Sequence, residues 1–252
     1  MKTKQIETGD VFPTNEGGSV TVINYRGWNE VVVMHNDNHA HIVTVRAENL
    51  RKGKVANPYH PSVFGVGFVG VGHHLPCVNR KNTQTYDTWN NMLERCYNPK
   101  FHARCPTYIG CSVHPDWHNF QNFAEWFERQ YWAECWQLDK DLIVEGNKVY
   151  SADTCTFVPS QLNTLLCDSG ASRGDLPQGV SRDRKGYKAQ IRVDGKPHHL
   201  GMHATPDDAF QAYKLAKEAN VKRMAEQYKC LIDPRVYDSL MRYAIELGVS
   251  KC

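Results

Sequence analysis

The alternation of hydrophobic and polar positions changes character twice along the 252 residues. In residues 1–78, β-branched runs stand at Val20–Tyr25, Glu30–His35 and His41–Arg46, separated by the turn-prone stretches Arg26–Asn29 and Asn36–Asn38. Side chains branched at Cβ lose little freedom on a pleated surface, and turn residues between such runs mark hairpins. The pattern predicts a small barrel-like sheet that closes near Gly53. Residues Gly65–Gly72 then alternate glycine with apolar side chains, without the Gly-Lys-Ser/Thr of a phosphate loop. They predict a connecting strand or a tightly packed segment.

From residue 79 the period becomes helical. Tyr86, Trp89, Leu93 and Cys96 share one helix face, and Trp117, Phe120, Phe123, Ala124 and Phe127 share another, with Asp116 placed to cap the second helix. Residues 138–163 read as a strand ending in Asp139, a tight turn at Gly146-Asn147, a second strand, and a short helix carrying Asn163. Asp168–Pro177 is small and polar, the composition of an interdomain linker.

A third rhythm begins at Gly179. Tyr187, Ala189, Ile191 and Val193 alternate with Lys188, Gln190 and Arg192, and Asp194-Gly195 signals a two-residue hairpin. Thr205-Pro-Asp-Asp208 opens a helix with a cap, a proline at its first position and carboxylates at the positive end of its dipole. A last helix is predicted from Asp233-Pro234 to Gly248. The fold class that follows is a multidomain α+β protein. It comprises an N-terminal β-rich module (1–78), a central ββα finger with helices (79–168), a three-stranded sheet with one helix (179–230), and a C-terminal helix (231–252).

Composition narrows the function classes. No stretch approaches the roughly 18–20 apolar residues of a membrane span, and residues 1–12 lack the apolar centre of a secretory signal. An intracellular protein with no membrane partner is expected. Nine cysteines without regular spacing predict reduced thiols. Cys96, His102, Cys105, Cys111 and His114 are the donor types of a structural zinc site, but they lack a Cys-x-x-Cys pair and make a weak candidate.

Net charge is only +3, yet its distribution is uneven: residues 171–203 hold seven basic and three acidic side chains. Strand alternation turns Lys188, Gln190 and Arg192 away from the helix-facing set. A basic ribbon of this kind fits the major groove of double-stranded DNA, where Arg and Lys meet phosphates or guanine and Gln pairs with adenine.

Gly179-Val180, Tyr187-Lys-Ala-Gln-Ile-Arg192, His199-Leu-Gly201 and Thr205-Pro-Asp-Asp-Ala-Phe-Gln-Ala-Tyr213 resemble an AP2 DNA-binding domain, whose sheet lies in the major groove. The resemblance implies that Arg182, Arg184, Lys188, Gln190 and Arg192 face DNA, with Lys185 beside them; the tryptophan of the plant domains' first hairpin is missing. Leu138-Asp-Lys-Asp-Leu142, Gly146–Tyr150 and Ala152–Asn163 in turn resemble the HNH, or His-Me finger, endonucleases, particularly the bacteriophage proteins that join such a finger to an AP2 domain.

That resemblance places Asp139 on the metal-binding acid, Thr154 on the middle asparagine and Asn163 on the terminal metal ligand. Mg²⁺ or another divalent cation is the implied cofactor, and the bacterial cytoplasm the implied location. Lys140, flanked by Asp141, stands at the position of the catalytic histidine. A protonated lysine stabilises charge on an attacked phosphate but acts as a base only when its pKa is depressed. Three outcomes are open: a variant mechanism through Lys140 or Asp141, recruitment of His114 or His118, or a degenerate finger in a non-catalytic DNA-binding protein. Residues 1–78 are a candidate surface for a protein partner.

Overall fold

The N-terminal β-branched runs become strands in the computed structural model, which describes residues 5–130, 132–166 and 175–246. Strands β1 (Val11–Pro13), β2 (Ser19–Tyr25), β3 (Val31–His35) and β4 (Ile42–Val45) form one antiparallel sheet in sequential order. Val20, Val22, Val31 and Val33 lie on one face and are buried. The short helix α1 (Ala47–Arg51) adds Ala47 and Leu50 to that core, with Ile6 and Val55.

The expected barrel does not form: the sheet is an open meander, and no pairing joins β1 to β4 among the described residues. Closure is unnecessary because α1 and the flanking chain already cover the apolar face. The glycine-rich stretch that follows is not a strand. Gln121 pins it, donating to Val69 O and His74 O and accepting the His74 N–H at 3.0 Å. A minimal hairpin of β5 (Cys77–Val78) and β6 (Lys81–Asn82) leads into α2 (Gln84–Tyr97).

Two compact units result, one formed by residues 1–90 with 115–124 and the other by 91–114 with 125–252. In the first, Trp89 stacks edge-on against Phe120 and donates its indole N–H to Trp117 O at 2.7 Å. Asp116 does not cap the second aromatic helix. It lies in a 3₁₀ turn, Pro115–His118, and Asn119 takes the capping role by accepting the Gln121 N–H at 3.0 Å.

The second unit contains α3 (Pro99–Arg104), β7 (Ser112–Val113), the last turn of α4 (Phe120–Glu128) from Glu125 onward, β8 (Trp136–Asp139), β9 (Val149–Tyr150), β10 (Thr156–Pro159) and α5 (Ser160–Leu166). It also contains the antiparallel sheet β11 (Val180–Asp183), β12 (Gly186–Val193) and β13 (Lys196–His203), followed by α6 (Pro206–Tyr228) and α7 (Pro234–Met241). The β12–β13 turn has the positive φ of a two-residue hairpin at both Asp194 (48°) and Gly195 (76°). Thr205 caps α6 as expected, accepting the Asp208 N–H.

Helix α6 is buried twice. Its first half packs Phe210 and Tyr213 against Ile191 of the sheet, and its second half packs Val221, Met224 and Ala225 against Val158, Leu162, Val236 and Leu240. The finger, the sheet and α7 therefore converge on one helix. The predicted linker, 168–177, falls mostly outside the described residues. Helix α7 starts at its predicted cap, with Asp233 accepting the Arg235 N–H, but ends at Met241 rather than Gly248, which lies outside the described residues. The chain leaves the helix because Ile245 is drawn into the sheet core, where its N–H donates to Glu218 Oε1. The whole is mixed α+β, with several small sheets and seven α-helices among the described residues.

The tightest backbone approach in the sheet is at Gly179, where φ is +76° and a Cβ would lie 1.9 Å from the Tyr213 ring. Gly179→Ala should destabilise the second unit by about 2–4 kcal/mol through backbone strain and overpacking. Denaturant unfolding followed by circular dichroism checks this; a change below about 0.5 kcal/mol would refute the packing described.

Candidate functional site

Strands β8 and β10 run antiparallel with Asp139 opposite Thr156, and β10 passes directly into α5, which carries Asn163. Thr156–Pro159 supplies the second strand of this ββα unit. Val149–Tyr150, after the Gly146-Asn147 turn, pairs in parallel with β7 instead. Thr156–Pro159 wins the place beside β8 because all four of its residues are buried there.

The loop between the strands is tied by its own side chains. Asn147 donates to Lys140 O (2.7 Å) and Val149 O (2.8 Å), while Thr154 donates to Val149 O (2.9 Å). Asp139 Oδ1 accepts the N–H groups of Asp141 (2.9 Å) and Leu142 (2.8 Å), which folds the turn that follows the strand. Burial and the negative charge of Asp141 push the Asp139 carboxyl up to about 6, against the opposing pull of those two N–H groups.

Lys140 lies beneath the turn with its side chain 12% exposed and its ammonium 2.9 Å from Asp141 Oδ2. Burial disfavours its charge, but the hydrogen bond and charge of Asp141 overcome that penalty and hold the ammonium above its ordinary pKa. Lys140 is thus a fixed cation and is not poised as a base. Asn163 spends its amide N–H on Gln137 Oε1 at 2.7 Å, two residues before Asp139 and on the same side of β8.

The Asp141 carboxyl also lies within hydrogen-bonding reach of the Asp139 carboxyl, and the bond of Asn163 to Gln137 leaves from its amide N–H. The set of one carboxylate oxygen, one amide oxygen and a crowding second acid suits a hard divalent cation, which prefers oxygen and relieves carboxylate repulsion. Asp139 and Asn163 are the residues whose oxygens could supply such ligands.

Three residues join this site that the sequence reading missed. Tyr150 is buried on β9, and Lys140 Nζ lies 5.9 Å from its ring centre. Arg95, in the last turn of α2, makes a polar contact with the Tyr150 hydroxyl and lies 5.8 Å from the Tyr108 ring centre. Tyr97 anchors the same helix end by accepting the Val113 N–H. Their separation in sequence hides the cluster, since Arg95 and Tyr150 meet only once β7 pairs with β9.

The cysteine and histidine set does not gather into one group among the described residues. Burial pushes the Cys96 thiol up to about 12 and raises that of Cys111, while the His102 ring donates to Arg95 O. His114 donates its backbone N–H to Tyr150 O; His118 belongs to the first unit.

On the three-stranded sheet, Ile191 and Val193 face α6, which leaves Lys188, Gln190 and Arg192 on the opposite side. Register adds Ser181 and Met202 beside Lys188, His199 beside Gln190 and Pro197 beside Arg192. Arg182 departs from the expected face. It is paired with Tyr187, on the helix-facing alternation, and its guanidinium meets the Tyr187 hydroxyl at 3.2 Å. Arg184 and Lys185 lie in the exposed β11–β12 turn. Comparison of the chain with protein-family models, with curated proteins and with solved structures returns no match.

The raised carboxyl has a consequence for stability. The folded state takes up the Asp139 proton near pH 6 and the unfolded chain near the ordinary 3.8, so the folded state bears the cost of ionisation above pH 6 and sheds it as pH falls between these values. Asp139→Asn should therefore be more stable than the wild type at pH 8 by about 1–3 kcal/mol, with the gap closing towards pH 4. Urea unfolding across this range in EDTA checks it; a gap independent of pH would refute it.

Proposed function

We propose that this chain is a metal-dependent DNA endonuclease of the HNH, or His-Me finger, type, directed to double-stranded DNA by an AP2-like sheet. The observation that carries the reading is the ββα unit, with a raised acid at the end of its first strand and Asn163 on its helix. Mg²⁺ or a similar cation held by Asp139 and Asn163 would polarise the scissile phosphate and stabilise the leaving oxygen. Lys140, kept charged by Asp141, would add positive potential at the attacked phosphate. Lys188, Gln190 and Arg192 would meet the groove, with Arg184 and Lys185 on the flanking backbone. A bacteriophage origin and action in the bacterial cytoplasm belong to the same proposal.

A second reading is favoured by one observation. Lys140 replaces the histidine base and is held protonated, so the finger has no base at that position. A DNA-binding protein that keeps the finger as a scaffold would look the same. Cleavage of supercoiled plasmid in Mg²⁺, Mn²⁺ or EDTA separates the two. The nuclease reading expects metal-dependent nicking that falls about 100-fold or more in Asp139→Ala and Asn163→Ala. Absence of cleavage in every metal, with DNA binding retained, would overturn it.

Binding is checked separately. Lys188→Ala and Arg192→Ala should each weaken binding to all sequences and flatten the dependence of log affinity on log salt by about one. An unaltered slope in both variants would remove the sheet from the interface.

A further inference from the structure

Arg95 stands apart from the other charged groups around Asp139. Lys140 is matched by Asp141, whereas no carboxylate among the described residues contacts the Arg95 guanidinium. It is half-buried, and a cation withdrawn from water without an acid partner is costly to hold. Its neighbours are the face of Tyr108, the hydroxyl of Tyr150 and the carbonyl end of α2. These attract a cation but leave its charge uncompensated.

Position adds to this. The Tyr150 hydroxyl meets Arg95 and its ring centre lies 5.9 Å from the Lys140 ammonium, so the guanidinium lies one ring away from the Asp139 turn. The planar fork of arginine matches two phosphate oxygens at once.

We infer that Arg95, contributed by a helix outside the ββα unit, is a phosphate-binding residue that seats an oxyanion of the DNA backbone beside the Asp139 turn. The inference deepens the endonuclease reading and rests on it for the source of the phosphate. The charge supplied by the ligand is the partner the folded chain lacks. Tyr108 and Tyr150 hold the fork in place.

The test uses the full chain in EDTA with inorganic phosphate as the probe, followed by ³¹P line broadening. Arg95→Met should weaken phosphate binding about tenfold or more. Arg104→Met removes an exposed guanidinium that also lies on a ring, that of Phe101, and should leave binding unchanged. Wild-type phosphate affinity in a folded Arg95→Met, judged by near-ultraviolet circular dichroism, would overturn the inference.

Should that variant not fold, the wild type still decides. Phosphate should protect Arg95 from phenylglyoxal, read by peptide mass spectrometry, and equal modification with and without phosphate would overturn the assignment. Short duplex DNA should displace the bound phosphate; phosphate retained in saturating DNA would mean a free-ion site and refute the backbone contact. Plasmid assays on the same preparations separate the two readings. Cleavage with Arg95-independent phosphate binding removes only this inference, whereas Arg95-dependent binding without cleavage in any metal removes only the nuclease.

Discussion

The second unit depends on how α6 buries two polar side chains. Lys217 and Asn220 sit in the middle of its buried stripe, where a leucine or alanine would be the ordinary choice. Lys217 donates to Leu165 O in the last turn of α5, satisfying a carbonyl that has no partner within its own helix. Asn220 accepts from Arg223, which reaches on to Asp194 in the β12–β13 turn at 2.8 Å. The helix therefore reaches the finger with one polar contact and the hairpin tip with another. Apolar residues on either side of that polar centre form the two cores.

A second constraint is the double use of Asp139. One carboxylate oxygen folds the turn that carries Lys140 and Asp141, while burial and the neighbouring acid make the charge on that same group costly. A turn could be folded more cheaply by asparagine, which accepts the same N–H bonds without a charge to bury. Retaining an acid where a neutral side chain would fold as well supports a role beyond folding, since costly charges concentrate where chemistry uses them.

Much of this was legible from local patterns. The three β-branched strands, the Asp194-Gly195 hairpin and the caps at Thr205 and Asp233 each rest on a few adjacent residues and a strong conformational preference. What escaped depends on partners distant in sequence. Whether the N-terminal sheet closes turns on α1 covering its face, and Val149–Tyr150 pairs with β7 because that strand lies ready to receive it. Asp116 and Asn119 are both good caps, and the choice is made by where the aromatic side chains settle. Strand parity counted from Val180 puts Ser181 on the side of Lys188 and Arg182 on the side of Tyr187, whereas the AP2 resemblance groups Arg182 with Lys188. Arg95 left no local signal, because a basic residue in the last turn of a helix is already explained by the helix dipole.

The charge pattern around Asp139 bears directly on which reading of the finger survives. A lysine in the histidine position that was free of partners could lose its proton when a divalent cation bound nearby, because a second positive charge lowers an amine's pKa. Asp141 works against this by stabilising the ammonium at 2.9 Å. The pair is nearly neutral, so Lys140 repels a metal at Asp139 far less than an isolated cation would. The same neutrality weakens its attraction for phosphate, whereas Arg95 has no contacting carboxylate among the described residues. Under the proposed function, metal affinity and phosphate attraction would fall to different residues: the Asp139 and Asn163 oxygens for the cation, and a guanidinium from another helix for the anion. On the proposed reading, such a finger would retain both ligands while lacking a base at position 140, and any catalysis would depend on a water activated by the metal or by a group outside the turn.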